Sequence, residues 1–261
     1  MLFYEEFRKK GGEHNLKEFV MCDIFIPCVR ISVWDVSQAL LAICMGINMN
    51  EKFFELKKEK QDRMINAALK VFAMQGYKHA STDDIVKEAG ISKGLLFHYF
   101  ESKLGVYEFV YEYSVRYMVI ELSTMVSRTE TNLFEIMRQI EFARMNVTKG
   151  YPYMQQFLNR CQSENVGEAL LAIESKRAIL EKEYNRIESQ ISYGEFPAGV
   201  DGKKIHTIMD FAIKGLMTER FMEDSFQSEM LFQEVSEYLD MMKTLVTKQS
   251  AGRRVSIEPM F

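Results

Sequence analysis

The stretch from Ser81 to Lys103, STDDIVKEAGISKGLLFHYFESK, admits few folds, because it holds two helices too short to stand alone, joined by a very short turn. Ser81 and Thr82 carry hydroxyls that can cap the free amides opening a helix ahead of Ile85. Ile85, Val86 and Ala89 give that helix one apolar face. Gly90 stands where it must stop, since a residue without Cβ enters the left-handed conformation at little cost, and Ile91 can fold back onto the helix just ended. Ser92 is the natural cap of the next helix, with Ile91 and Leu96 spaced to form a hydrophobic staple. Leu96, Phe97 and Phe100 make the inward side, leaving Lys93, Gly94, Leu95, His98 and Tyr99 outward. Ser102 caps a further helix whose first turn holds Lys103, poorly placed for the helix dipole but well placed to neutralise a phosphate.

Upstream, Lys60 to Gly76 (KQDRMINAALKVFAMQG) places Ile65, Ala68, Leu69, Phe72 and Ala73 at helical spacing, a single stripe to be buried, and Gly76 ends it. Three helices in this order are the outline of a helix-turn-helix DNA reader. From about Arg63 to Tyr107 the unit resembles the DNA-binding domain of the tetracycline-repressor (TetR) family. An alanine-rich first helix ends in FAMQGY (72–77), TDDIVKEAGISKG follows (82–94), then LFHYFESK (96–103). The resemblance implies that Thr82, Lys93, Tyr99 and Lys103 touch phosphates, while Gly94, Leu95 and His98 lie nearest to base edges. Two positions depart from the family pattern. Phe97 stands where tyrosine is usual, removing a hydroxyl, and Leu95 replaces a small or polar residue, so that it could meet a thymine methyl but offers no hydrogen bond.

Four prolines and fourteen glycines in 261 residues leave room for long helices with few breaks. Leucine, methionine, glutamate and lysine recur on helical periods, and no alternating strand pattern of useful length occurs, so the chain reads as all-α. The length accommodates a small head and a larger body with a sizeable core. Residues 51–104 carry ten basic and eight acidic residues, net plus 2, whereas 105–261 carry eighteen and twenty-three, net minus 5. The polarity is mild, and its direction favours a nucleic-acid partner at the head.

Residues 105–248 read as the body and 249–261 as a frayed tail. A long helix from Ser102 to about Ser127 is followed by helices at Leu133 to Lys149, Pro152 to Ser163, Glu168 to Ser192, Lys203 to Met222 and Phe226 to Lys248. YGEFPAGVDG, from Tyr193 to Gly202, is the clearest loop. Ile205, Ile208, Met209, Ala212 and Leu216 make one apolar seam, and Leu231, Val235, Tyr238, Met242 and Leu245 another. In the family such a pair meets its twin in a four-helix dimer interface, and two heads about 34 Å apart engage successive major grooves of a palindromic operator. Alternatively, both seams close the monomer core. Eighteen methionines and nineteen phenylalanines are many for this length, and in the body Tyr111, Met118, Met125, Phe134, Met137, Phe142, Met154, Phe157 and Phe211 are candidates to line an adaptable cavity for a small apolar effector, with core packing as the alternative for each. The resemblance implies a cytoplasmic homodimeric repressor that binds double-stranded DNA and leaves it when the effector changes head spacing.

Cys22, Cys28, Cys44 and Cys161 show no disulfide framework and no zinc spacing, and reduced thiols are expected, Cys161 as a small buried apolar residue. No cofactor or metal is implied. His14, His79, His98 and His206 are dispersed, and neither a metalloprotease pair, a G-x-S-x-G elbow nor a phosphate-cradling glycine loop occurs, which weakens an all-α enzyme or carrier with no DNA role. In residues 1–50, the apolar run Phe19 to Ile47 is interrupted by Asp23, Arg30 and Asp35 and broken by Pro27, too charged for a membrane span and unlike a signal peptide. Two readings stand for this extension: a start-site artefact, with Met49 opening the chain proper, or an extra apolar element packed on the body or used for a partner.

Overall fold

The computed structural model describes residues 51–221 and 227–252, and the two readings of residues 1–50 fall outside it. The described residues are helical apart from turns, with one 3-10 turn at Tyr193–Glu195 and no strand. The head contains α1 (Glu51–Phe54), α2 (Lys58–His79), α3 (Thr82–Ala89) and α4 (Lys93–Phe100). The body contains α5 (Lys103–Met125), α6 (Leu133–Gly150), α7 (Met154–Gln162), α8 (Gly167–Glu188), α9 (Gly202–Arg220) and α10 (Ser228–Gly252). The last of these runs four residues beyond the boundary at Lys248, into the segment expected to fray.

Local chemistry sets the boundaries as the sequence implies. Ser81 accepts the N–H of Asp83 at 3.1 Å, Ser92 that of Leu95 at 3.2 Å and Ser102 that of Gly105 at 3.0 Å, so each of the three short-range starts has its cap. Gly90 is left-handed, with its N–H on Lys87 and that of Ile91 on Val86. Gly76, at φ 69° and ψ 171°, breaks α2 and lets one further turn follow at a new angle. A Cβ there would lie 3.1 Å from the Arg160 guanidinium.

The head core is built on Phe53, Leu69, Phe72, Ile85, Leu96 and Phe100. It continues into the body through rings: Phe53 and Phe100 stand 4.9 and 4.8 Å from Phe109, and Tyr107 of α5 stands 5.0 Å from both Phe72 and Tyr77. Phe97, expected on the inward side, is half-buried. In the body, α8 and α6 pack on α5, α7 on α2, and α10 on α6.

Each late helix divides its apolar residues between two faces. Met209, Ile213 and Met217 of α9 join Leu231, Val235 and Leu239 of α10 and Leu133, Phe134 and Met137 of α6 in one core cluster. Ile205, Leu216 and Met242 are partly buried against it. Ile208, Phe211, Tyr238 and Leu245 point outward, 43–69 % exposed, so the expected seams are split between the monomer core and the surface.

Gly105 is where α5 starts against the end of α4, and a Cβ at that position would run into the carbonyl oxygen of Phe100. Replacing it by alanine therefore forces the recognition-side helix and α5 apart. Gly105→Ala is expected to cost about 1–3 kcal/mol, the usual overpacking range, measured as a lowered midpoint in urea unfolding.

Candidate nucleic-acid interface

The outward side of α4 presents Lys93, Gly94 and His98 exposed, with Leu95 and Tyr99 half-buried beside them and Thr82 half-buried at the start of α3. These residues share the turn-and-helix surface of the head. Lys93 Nζ reaches Asp83 Oδ1 of α3 at 2.8 Å, an ion pair open to water on both sides. Tyr99 lies edge-on to Phe53, at 5.7 Å, and to His98, at 4.9 Å. A Cβ on Gly94 would meet nothing within 4 Å, so protein packing does not require glycine there, even though glycine weakens a helix.

Lys103 is placed differently from the rest. Its ammonium donates to the carbonyls of Tyr77 at 3.0 Å and Ala80 at 3.3 Å and stands 4.4 Å above the Tyr77 ring. It therefore closes the C-terminal end of α2, where a cation is favoured, and joins α2 to α5. The sequence reading missed this use of Lys103 because it considered the residue only within its own helix.

The junction between head and body has two further polar clamps that sequence inspection did not find. At one end, Asp62 of α2 accepts from Lys58 at 2.6 Å and from the Tyr151 hydroxyl at 2.9 Å, and Tyr151, wholly buried, pairs with the Tyr113 hydroxyl. At the other, Tyr77 donates a hydrogen bond from its hydroxyl to Glu168 at 2.7 Å and from its backbone N–H to Glu164 at 3.2 Å. Glu164 also accepts from Asn165 at 2.9 Å and Val166 at 3.0 Å. Burial raises the Glu164 carboxyl, but these three backbone donors and Arg160 outweigh burial and hold it below the usual carboxylate value. Cys161 is buried beside the Tyr107 hydroxyl, and burial pushes its thiol up to about 12, which makes it inert packing.

In the body, a cavity of about 300 Å³ lies between α6, α8 and α9. Of the nine candidate lining residues, Met137 borders it. Phe157 packs against Phe72, Tyr107 and Tyr111, and Met118 and Met154 are wholly buried core residues. Phe134 belongs to the α6–α9–α10 core, Met125 is half-buried, and Phe142 and Phe211 face outward. Apart from Met137, these residues thus fill the junction, the core and the surface rather than this cavity. No cluster of three potential metal ligands occurs among the described residues, and none of their helices is long and apolar enough to cross a membrane.

Two short helices, α3 and a capped, outward α4, joined by a tight turn and packed with α2, define a helix-turn-helix head. Residues 64–109 match the family model for bacterial regulatory proteins of the tetR family. The regulator AcrR of Shigella flexneri is 23 % identical over 177 residues, spanning 65 % of this chain and 81 % of that one. The uncharacterized regulator YuxN of Bacillus subtilis is 34 % identical over 111 residues, 38 % of each chain, so the match spans well under half of that relative. Among solved structures, the TetR family regulator PfmR of Thermus thermophilus overlaps 69 % of this chain and 96 % of its own at 19 % identity and TM-score 0.46. One from Chloroflexus aurantiacus overlaps 77 % and 96 % at 17 % and 0.48. Residues 64–109 thus carry a tetR-type DNA-binding domain, and the chain is similar to TetR-family transcriptional regulators.

The depressed Glu164 carboxyl gives the junction a pH signature. A group held lower in the folded than in the unfolded chain contributes stability that is complete above its ordinary value of 4.5 and is lost as the pH falls through the folded value. Glu164→Gln is expected to lower the melting temperature at neutral pH, with the gap to the parent chain closing on acidification below 4.5.

Proposed function

We propose that the chain is a cytoplasmic, homodimeric repressor that grips a palindromic operator with α4 and leaves it when a small effector binds the body. The observation that carries the DNA reading is Gly94: a helix-weakening residue at an exposed first turn, unneeded by any neighbour, leaves the N-terminal end of α4 bare for close approach of a nucleic-acid backbone. Lys93, Thr82 and Tyr99 then reach phosphates, and Gly94, Leu95 and His98 face base edges. Lys103, with two N–H bonds on carbonyls, has one left for a phosphate.

Dimerisation is supported by the exposed apolar stripe Ile208, Phe211 and Ala212 on α9 with Tyr238, Met241 and Leu245 on α10, at the three-, four- and seven-residue spacing of a helix face. One small head binds weakly, and two fixed at one helical turn of DNA supply both affinity and register. Release follows if the effector favours a body conformation that moves α2 and α5, and with them the head, away from that spacing.

A gel shift on the DNA flanking the protein's own gene tests the reading, with a short palindrome shifted selectively over bulk DNA as the expected result. Failure to select any such fragment would sink it. Lys93→Ala is expected to weaken binding to all sequences and reduce the salt slope by about 1, with little change in stability because the Asp83 pair is exposed. Gly94→Ala is expected to raise stability by up to about 1 kcal/mol while weakening operator binding. Phe211→Asp is expected to convert a dimer to monomer in sedimentation while the helical spectrum stays unchanged.

A further inference from the structure

Next to the larger cavity, and sharing Glu141 and Arg144 with it, a chamber of about 10 Å³ lies where α6, α7, α9 and α10 meet. Room of that order, roughly 10–15 Å³, fits a single water molecule and nothing larger. Its lining is polar at Arg144, Thr148, Gln155 and Ser228. Two of these residues carry atoms that are enclosed and unpaired among the described residues, Arg144 Nε and Gln155 Oε1, and the two are opposite in sense, a donor and an acceptor. Gln155 is 4 % exposed, and its Nε2 is spent on Asn159 Oδ1 at 2.8 Å. The Arg144 guanidinium spends Nη1 on Glu141 and Nη2 on the Tyr184 hydroxyl. Thr148 and Ser228, both buried, donate their hydroxyl protons to the carbonyl of Arg144 at 2.6 Å and to Glu229 Oε2 at 2.9 Å, so each has only lone pairs left to offer.

We propose that this chamber holds one internal water, which accepts from Arg144 Nε, donates to Gln155 Oε1 and spends its second proton on Ser228 Oγ or Thr148 Oγ1, tying α6 to α7 and α10. The inventory of donors and acceptors selects the ligand. One N–H without an acceptor, set against oxygens that can only accept, calls for a group that accepts once and donates twice. Ammonium has no lone pair for Arg144, chloride has no proton for Gln155, and an apolar occupant leaves both enclosed atoms unmade. The position of the water gives it a further use. Arg144 also borders the larger cavity, and α7 packs on α2, so the water carries the placement of Arg144 to the helix that anchors the head. That use rests on the proposed effector release, whereas the site itself does not.

Relaxation dispersion of water oxygen-17 on the full chain, which counts long-lived internal waters, tests the site. Gln155→Met keeps the shape of the side chain and removes its acceptor, and is expected to lower the count by one water per chain. An unchanged count would overturn the proposal. A crystal structure of the parent chain checks it without any variant. Density for one water within about 3.2 Å of both Arg144 Nε and Gln155 Oε1 is expected, and an empty chamber, or a direct bond between the two side chains, sinks the idea. The tie between helices is read by hydrogen exchange: Gln155→Met is expected to speed exchange of the α7 amides about tenfold while α3 and α4 keep their protection. Unaltered exchange in α7 refutes the tie. A chain that selects no operator in the gel shift loses the coupling role alone, since the oxygen-17 count and the density still decide the site.

Discussion

The position of α2 is the constraint on which the rest depends. By motif it is the first of the three helices of the helix-turn-helix unit, yet by bonding it belongs equally to the body. Its first half is tied through Asp62 to Tyr151 and Tyr113, and its end is tied through Tyr77 to Glu164 and Glu168 and through Lys103 to α5. Rings from Phe72, Tyr77, Tyr107 and Phe157 fill the space between these clamps. A head anchored at both ends of one helix cannot swivel on a loose tether, so its orientation reports the arrangement of α5, α7 and the turn into α8. That is the mechanical requirement of the proposed release, in which the body sets where the head stands.

The cavity and the junction use polar groups in opposite ways. At the junction, carboxylates are surrounded by donors: Glu164 accepts three backbone N–H bonds, and Asp62 accepts a lysine and a tyrosine. Such groups hold structure. In the body, Glu141 is buried against Arg144, whose Nε is enclosed without a protein acceptor. A buried ion pair with one donor left unmade contributes little net stability.

How much of this was legible in the sequence follows from the range of the forces involved. Ser81, Gly90, Ser92 and Ser102 act on backbone groups two to five residues away, so the helix boundaries of the head could be read directly. The long helices of the body announced themselves by apolar period alone. Lys103, Glu164 and Tyr151 act across 23 to 89 residues of chain, and no local pattern encodes such a partner. Gly105 left no mark because its constraint is the nearness of a carbonyl in the preceding helix. The aromatic and methionine surplus could be counted but not placed: a phenylalanine on an amphipathic helix looks the same whether it faces a core, as Phe157 does, or water, as Phe211 does. The α9 and α10 seams were ambiguous for the same reason, since a stripe wide enough to serve two faces reads as one.

The Lys93–Asp83 pair has a consequence for selectivity. The carboxylate of α3 occupies, in the free protein, the place that a phosphate oxygen would take beside the proposed contact lysine. The chain thus brings its own anion to the surface it would offer to DNA, and any polyanion must displace that resident before it gains the lysine. Random duplex, held by scattered charge at a single head, recovers little for the exchange. In the proposed dimer, a site that seats both heads would make the same exchange twice with base edges and groove fit to offset it, so the resident carboxylate would weaken random duplex, which has nothing further to offset it.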